Sequence, residues 1–162
     1  MSSSPRLHSA AAFLLGMAVV VSAAAGPLRS LVGAESQLMK GVNQVRLQRH
    51  LHPLKASPEL AAVAKAHARD MAEQGYLSHV NPNGEDPLIR VRAAGIDGFR
   101  LLAENIGATS ESGDRVTAII QKWLASPLHR ENILNPAFNT TGLAVLKNGI
   151  GETLAVQLYA TF

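Results

Sequence analysis

No cysteine occurs anywhere in the 162 residues, so the chain is neither disulfide-stapled nor lipid-modified through a thiol. Aromatic residues are scarce at 4%, too few to build a base-stacking platform. Basic clusters are missing as well. The formal charge is +3, and Arg46, Arg69, Arg90 and Arg115 are scattered, with Arg90-Val91-Arg92 the densest pair. A nucleic-acid binder should carry a basic stripe or interleaved aromatics, and neither is present. The arginines read as a solvated surface. Internal repeats and low-complexity tracts are absent. So are the HExxH, GxSxG, P-loop and Gly-rich dinucleotide signatures, which removes the commonest motif-borne chemistries.

What is present suggests one domain behind an export signal. Arg6 and His8 precede an apolar run from Ala10 to Val21, and Ser22-Ala23-Ala24-Ala25 follows it. A basic start, a short apolar stretch and small residues at its exit describe a secretory signal peptide. The run is short for a bilayer span, which needs roughly 20 apolar residues; an uncleaved anchor is the competing reading. The expected organisation is a signal over 1–25, a short linker over 26–35 and a single domain over 36–162. Removal of the signal leaves no transmembrane segment, and the protein is expected to be secreted, extracellular or periplasmic.

Helices and strands alternate through the domain. Leu38, Val42 and Val45 recur at helical spacing, predicting a helix over about 34–50 that Pro53 stops. Ser57-Pro58 is an N-cap and first-turn pair, Leu60, Ala64, His67 and Met71 form one stripe, and Gly75 stands at the C-cap position. Asp86-Pro87 opens a shorter helix closed by Gly95. Residues 101–106 read as a strand, and Val116, Ile119, Ile120 and Trp123 as a helix ending near Pro127. In the tail, Leu154, Val156, Leu158, Ala160 and Phe162 alternate with Thr153, Ala155, Gln157, Tyr159 and Thr161, a strand with one apolar face. Asn148-Gly149 is a hairpin signal, which puts the partner strand at about 140–147. The class is α+β, not a βαβ winding.

Three ionisable side chains stand inside or beside apolar elements. Glu104 shares a strand face with Leu102 and Ile106, where a carboxylate must be paired or must meet water at a sheet edge. His79 lies where a helix gives way to the turn-rich Asn81-Pro82-Asn83-Gly84 loop. His129 follows Ser126-Pro127 in the first turn of a short helix, whose positive end would depress its pKa. His67 reads as a hydrogen-bonded core residue, His50 and His52 as surface. Ser126 is most simply an N-cap, and it and Asn105 are candidates to line a cleft.

The order and spacing of these segments resemble the CAP domain of cysteine-rich secretory proteins, antigen 5 and pathogenesis-related 1 proteins, in its shorter bacterial, SCP-like form. The resemblance covers roughly 36–162. It rests on Asn43-Gln44-Val45-Arg46, on Ala66-His67-Ala68-Arg69-Asp70-Met71 leading to Ser78-His79, on Ala103-Glu104-Asn105-Ile106, and on Trp123 followed by Ser126-Pro127-Leu128-His129-Arg130. It implies a three-layer α-β-α sandwich with a small antiparallel sheet, and a cleft of two histidines and two acids. His79, His129 and Glu104 match three of the four; Ser126 stands where the animal and plant proteins carry the second acid.

Three functions follow as expectations. The favoured one is a secreted, non-catalytic binding module. Its cleft would take a small or lipid-like ligand or a cell-envelope component, with a divalent metal such as zinc on His79 and His129. The second is a metal-dependent hydrolase using His79, Glu104 and His129, with Glu104 as general base. In the third, the trio is a structural network tying helices to the sheet.

Overall fold

A computed structural model describes residues 29–30 and 33–162. The expected signal segment, 1–25, lies outside the described residues. Within the expected linker, Arg29–Ser30 forms a short strand, β1.

Local sequence explains most element boundaries. Helix α1, Ala34–Gln48, buries Leu38 and Val42 on one stripe. A short strand β2, Lys55–Ala56, follows. Helix α2, Pro58–Gln74, starts where the Ser57 side chain accepts from the Leu60 amide. It ends at Gly75, whose φ of 71° is the left-handed conformation that glycine adopts freely. Helix α3, Pro87–Ala93, is capped by Asp86. Strand β3 spans Leu101–Thr109, longer than the sequence suggested. Helices α4, Arg115–Ala125, and α5, Pro127–Leu134, follow back to back. Strands β4, Thr140–Lys147, and β5, Thr153–Thr161, form the expected hairpin. The turning residue with positive φ is Gly151 rather than Gly149, in a five-residue connection closed by Asn148 and Glu152.

The sheet order is β1-β4-β5-β3, with β2 joining β4. Its long ladders are antiparallel; only the two-residue β2 runs parallel to its neighbour. One face packs on α1, α4 and α5 around Trp123, Val145 and Tyr159. The other packs on α2 and α3 around Leu60, Met71, Val156 and Leu158. Helices cover both faces, an α-β-α sandwich. The approach of α2 is close: a Cβ at Gly142 would fall 2.2 Å from backbone atoms of Leu60 and Ala61.

Two expectations are corrected here. Strand β5 has no solvent face; every residue from Thr153 to Thr161 is buried. Its polar residues are bonded instead: Gln157 donates to the Thr141 hydroxyl and Thr161 to the Ala137 carbonyl. Arg46 is also not on the surface. It is wholly buried and donates to the carbonyls of His52, Ile133, Asn135 and Phe138 at 2.8–2.9 Å. Burial lowers its pKa from the usual guanidinium value, and four carbonyls supply the partners that buried donors require.

Candidate functional site

The candidate residues meet at β3, the outer strand of the sheet. Edge strands present unpaired backbone groups, and here side chains occupy part of that edge. Trp123 of α4 donates its indole N–H to the Ile106 carbonyl at 2.8 Å, and Asn132 of α5 reaches the Glu104 carbonyl at 3.4 Å. The indole needs a glycine beside it: a Cβ at Gly107 would stand 2.9 Å from Trp123 Nε1.

Glu104 projects with Ile106 toward the α2–α3 side, and its side chain is 1% exposed. Its charge is matched on both oxygens. Oε1 lies 2.8 Å from His79 Nδ1, and Oε2 accepts from Arg90 Nη2 at 2.8 Å. A carboxylate bonded this way only accepts, so His79 Nδ1 carries a proton, and in the neutral ring the lone pair is on Nε2. The His79 side chain is 46% exposed. Arg90 fixes the loop as well, donating through Nη1 to the carbonyls of His79 and Glu85.

His129 comes from the other side of the edge. It is half-buried in the first turn of α5, and its carbonyl accepts from Asn105 Nδ2 at 3.0 Å. Its pKa is lowered chiefly by burial and then by the charge of His79. The cause expected from sequence, the helix end, is not the main one. The two rings are near enough for the charge of one to bear on the other.

The structure therefore pairs His79 with Glu104, and His129 is tied to the same strand through the Asn105 side chain. Asn105, expected to line the cleft, is instead fully buried behind it, bonded to Asn132, the Tyr159 hydroxyl and the His129 carbonyl. Ser126 occupies the N-cap position of α5, yet its side chain makes no capping hydrogen bond. His67 is the buried, bonded histidine the stripe implied, with Nε2 2.9 Å from the Ser78 carbonyl. Arg90 and Asn132 were missed. Neither stands in a pattern that marks it, since their partners come from distant segments.

The metal reading must be fitted to this geometry. With both Glu104 oxygens committed, the protein offers two imidazoles, not two imidazoles and a carboxylate. Among the described residues, no group of three or more His, Cys, Asp or Glu is placed to hold a metal ion. Glu104 orients the His79 ring from behind, as a carboxylate does for a ligating imidazole.

A family model described as "CAP: Cysteine-rich secretory protein family" matches residues 39–159. Among curated proteins, the uncharacterized protein YkwD of Bacillus subtilis is 28% identical over 120 residues, covering 74% of this chain and 45% of its own length. The uncharacterized membrane protein YlbC of the same organism is 30% identical over 112 residues, with 69% and 31% covered. The chain thus spans less than half the length of the curated relatives it matches. An extracellular SCP-domain protein of Bacillus anthracis superposes with a TM-score of 0.72 at 29% identity, covering 81% of this chain and 41% of that one. An outer surface protein of Borrelia burgdorferi reaches 0.76 at 23% identity, covering 84% and 98%, and shows the shared fold. No helix among the described residues is long and apolar enough to cross a membrane.

Proposed function

The chain belongs to the cysteine-rich secretory protein (CAP) family, and from that membership we propose an exported, non-catalytic binding module whose cleft between His79 and His129 holds a small ligand or a cell-envelope component. The amino-terminal pattern and the extracellular or outer-surface description of structural relatives support export.

One observation carries the binding reading over the hydrolytic one. Both carboxylate oxygens of Glu104 are engaged, one with His79 and one with Arg90. A general base must reach the water it activates, and the Glu104 side chain, 1% exposed behind these two partners, is shielded from solvent. Glu104 serves instead to hold the His79 ring by Nδ1, leaving Nε2 as the acceptor available to a ligand. His129, neutral to lower pH than an ordinary histidine, supplies a second such acceptor. These two nitrogens would hold a divalent metal such as zinc, which when bound would supply a Lewis-acidic anchor for a ligand oxygen.

The test is calorimetric titration of zinc into the protein and into a His79→Ala/His129→Ala double variant, with circular dichroism to verify the fold. Saturable one-to-one binding that disappears in the folded variant is the expected result. Absence of binding, or binding unchanged by the double substitution, would remove the metal from the proposal.

A further inference from the structure

The loop that precedes Arg90 carries one of the two Asn-Gly dipeptides in the chain, Asn83-Gly84; the other is Asn148-Gly149. Asn-Gly is the peptide link most open to spontaneous deamidation. Glycine has no side chain to shield its amide nitrogen from the asparagine side-chain carbon. The two dipeptides are held differently. Asn148 and Gly149 are half-buried in the β4–β5 connection. The Asn148 side chain is tied at both ends: Nδ2 donates to Glu152 Oε2 at 3.1 Å, and Oδ1 accepts from the Glu152 amide at 2.9 Å. Asn83 and Gly84 are exposed. The Asn83 main-chain amide donates to Asn81 Oδ1 at 3.1 Å, but among the described residues its side chain makes no hydrogen bond.

The glycine amides rank the other way. Gly84 donates to the Asn81 carbonyl at 2.9 Å, whereas the Gly149 N–H has no partner among the described residues. Attack at Asn83 therefore gives up one bond, at an exposed turn. Attack at Asn148 gives up two, because its side-chain carbon cannot swing over the Gly149 nitrogen while both polar atoms are tied to Glu152. The difference is about one hydrogen bond, in favour of reaction at Asn83.

We propose that Asn83 is a modification site, converted without an enzyme to aspartate and isoaspartate. The Gly84 nitrogen loses its proton and bonds to Asn83 Cγ. The side-chain nitrogen takes up a proton and leaves as ammonia, closing a succinimide ring. Water then adds at either ring carbonyl. Addition at Cγ breaks the new C–N bond and gives aspartate. Addition at the main-chain carbonyl breaks the original peptide link and gives isoaspartate, whose main chain is one carbon longer. Either product places a new carboxylate in a loop that already carries Glu85 and Asp86. The longer chain falls inside the turn where Asn81 Oδ1 takes the amides of Asn83 and Glu85. Next to that turn the Glu85 carbonyl accepts from Arg90, so the modification loosens the loop that fixes this guanidinium.

The experiment incubates the folded protein at mildly alkaline pH and follows its tryptic peptides by mass spectrometry. Cleavage after Arg69, Arg90 and Lys147 puts the two sites in separate peptides, Asp70–Arg90 and Asn148–Phe162. The first is expected to change from amide to acid at least about fivefold faster, the ratio that one net hydrogen bond gives. Fragmentation should place the acid at position 83, since Asn81 precedes a proline that has no N–H to attack. In urea the two rates should converge, because the ties to Glu152 exist only in the fold. No conversion at position 83, equal rates in the folded protein, or faster reaction at Asn148 would overturn the proposal. The acidic fraction, separated by ion exchange and containing isoaspartate, is expected to unfold at lower urea than the parent. An unchanged midpoint would overturn the loosening of the loop.

Discussion

Arg46 and Arg90 are both taken out of water, and both tie distant segments together through backbone carbonyls. They differ in what else they touch. Arg46 meets only carbonyls: four of them, from the end of α1 to the segment after α5, and every nitrogen of its guanidinium is engaged. Arg90 meets two carbonyls and a buried carboxylate, keeps Nε unbonded, and sits behind a half-exposed imidazole. In one node every guanidinium nitrogen is bonded; in the other Nε is left without a partner. A buried guanidinium bonded only to backbone carbonyls holds the fold. One bonded to the carboxylate behind a half-exposed imidazole also sets how that ring is presented.

The largest expected effect comes from breaking the fully bonded node. Arg46→Leu takes the side-chain donor from four carbonyls, of which Asn135 keeps the Phe138 amide. At about 1–3 kcal/mol for each carbonyl left buried and unpaired, unfolding in urea should show a loss of about 3 kcal/mol or more. A loss below about 1 kcal/mol would erase the distinction between the nodes. Arg90→Leu leaves Glu104 charged, buried and held by His79 alone, and should lower stability by about 3 kcal/mol. Unlike Arg46→Leu it should also weaken zinc binding at His79, because the ring's supporting carboxylate is no longer fixed; calorimetry on the folded fraction reads this.

Gly107→Ala tests the edge beside the site. The new Cβ pushes on Trp123, and a loss of about 1–3 kcal/mol with a shifted tryptophan emission is expected. Acid titration gives a smaller effect. His67 and His129 both have pKa values below the ordinary histidine value in the fold, chiefly through burial. The unfolded chain therefore binds more protons as pH falls, and stability present above about pH 6.5 is lost progressively below it. Urea unfolding of His67→Gln should show a shallower decline than the parent. Smallest of all should be the stability change in His79→Ala/His129→Ala, about 1 kcal/mol or less, since both rings are partly exposed. A larger loss would make the imidazole pair structural, like Arg46.

These nodes were unequally legible in the sequence. Elements governed by short-range rules could be read directly: the Ser57-Pro58 start of α2, its Gly75 end and the β4–β5 hairpin all follow from local chemistry. Glu104 stood out because a carboxylate between Leu102 and Ile106 demands a partner. Which partner it takes was not legible, as Arg90 lies on a short helix held by the folded loop that precedes it. Arg46 carried a usable signal that was misread: it stands four residues past Val42 and eight past Leu38, on the buried stripe of α1. An arginine on such a stripe reads as solvated only if nothing long-range can bond it, and three of its four partners lie beyond residue 130. The second face of β5 failed for a related reason. Thr153, Gln157 and Thr161 look like a wet face until helices on both sides are known.

The central position of β5 also governs the order in which the protein can assemble. Strand β3 has no other partner in the sheet: Thr109 must wait for Thr153, and Leu101 for Thr161, while α4 and α5 form in between. Until β5 docks, β3 and β4 each show a bare edge, and the Glu104 carboxylate has no finished wall behind it. Closure over so long a stretch of chain should make this pairing slow beside the contacts within each helix.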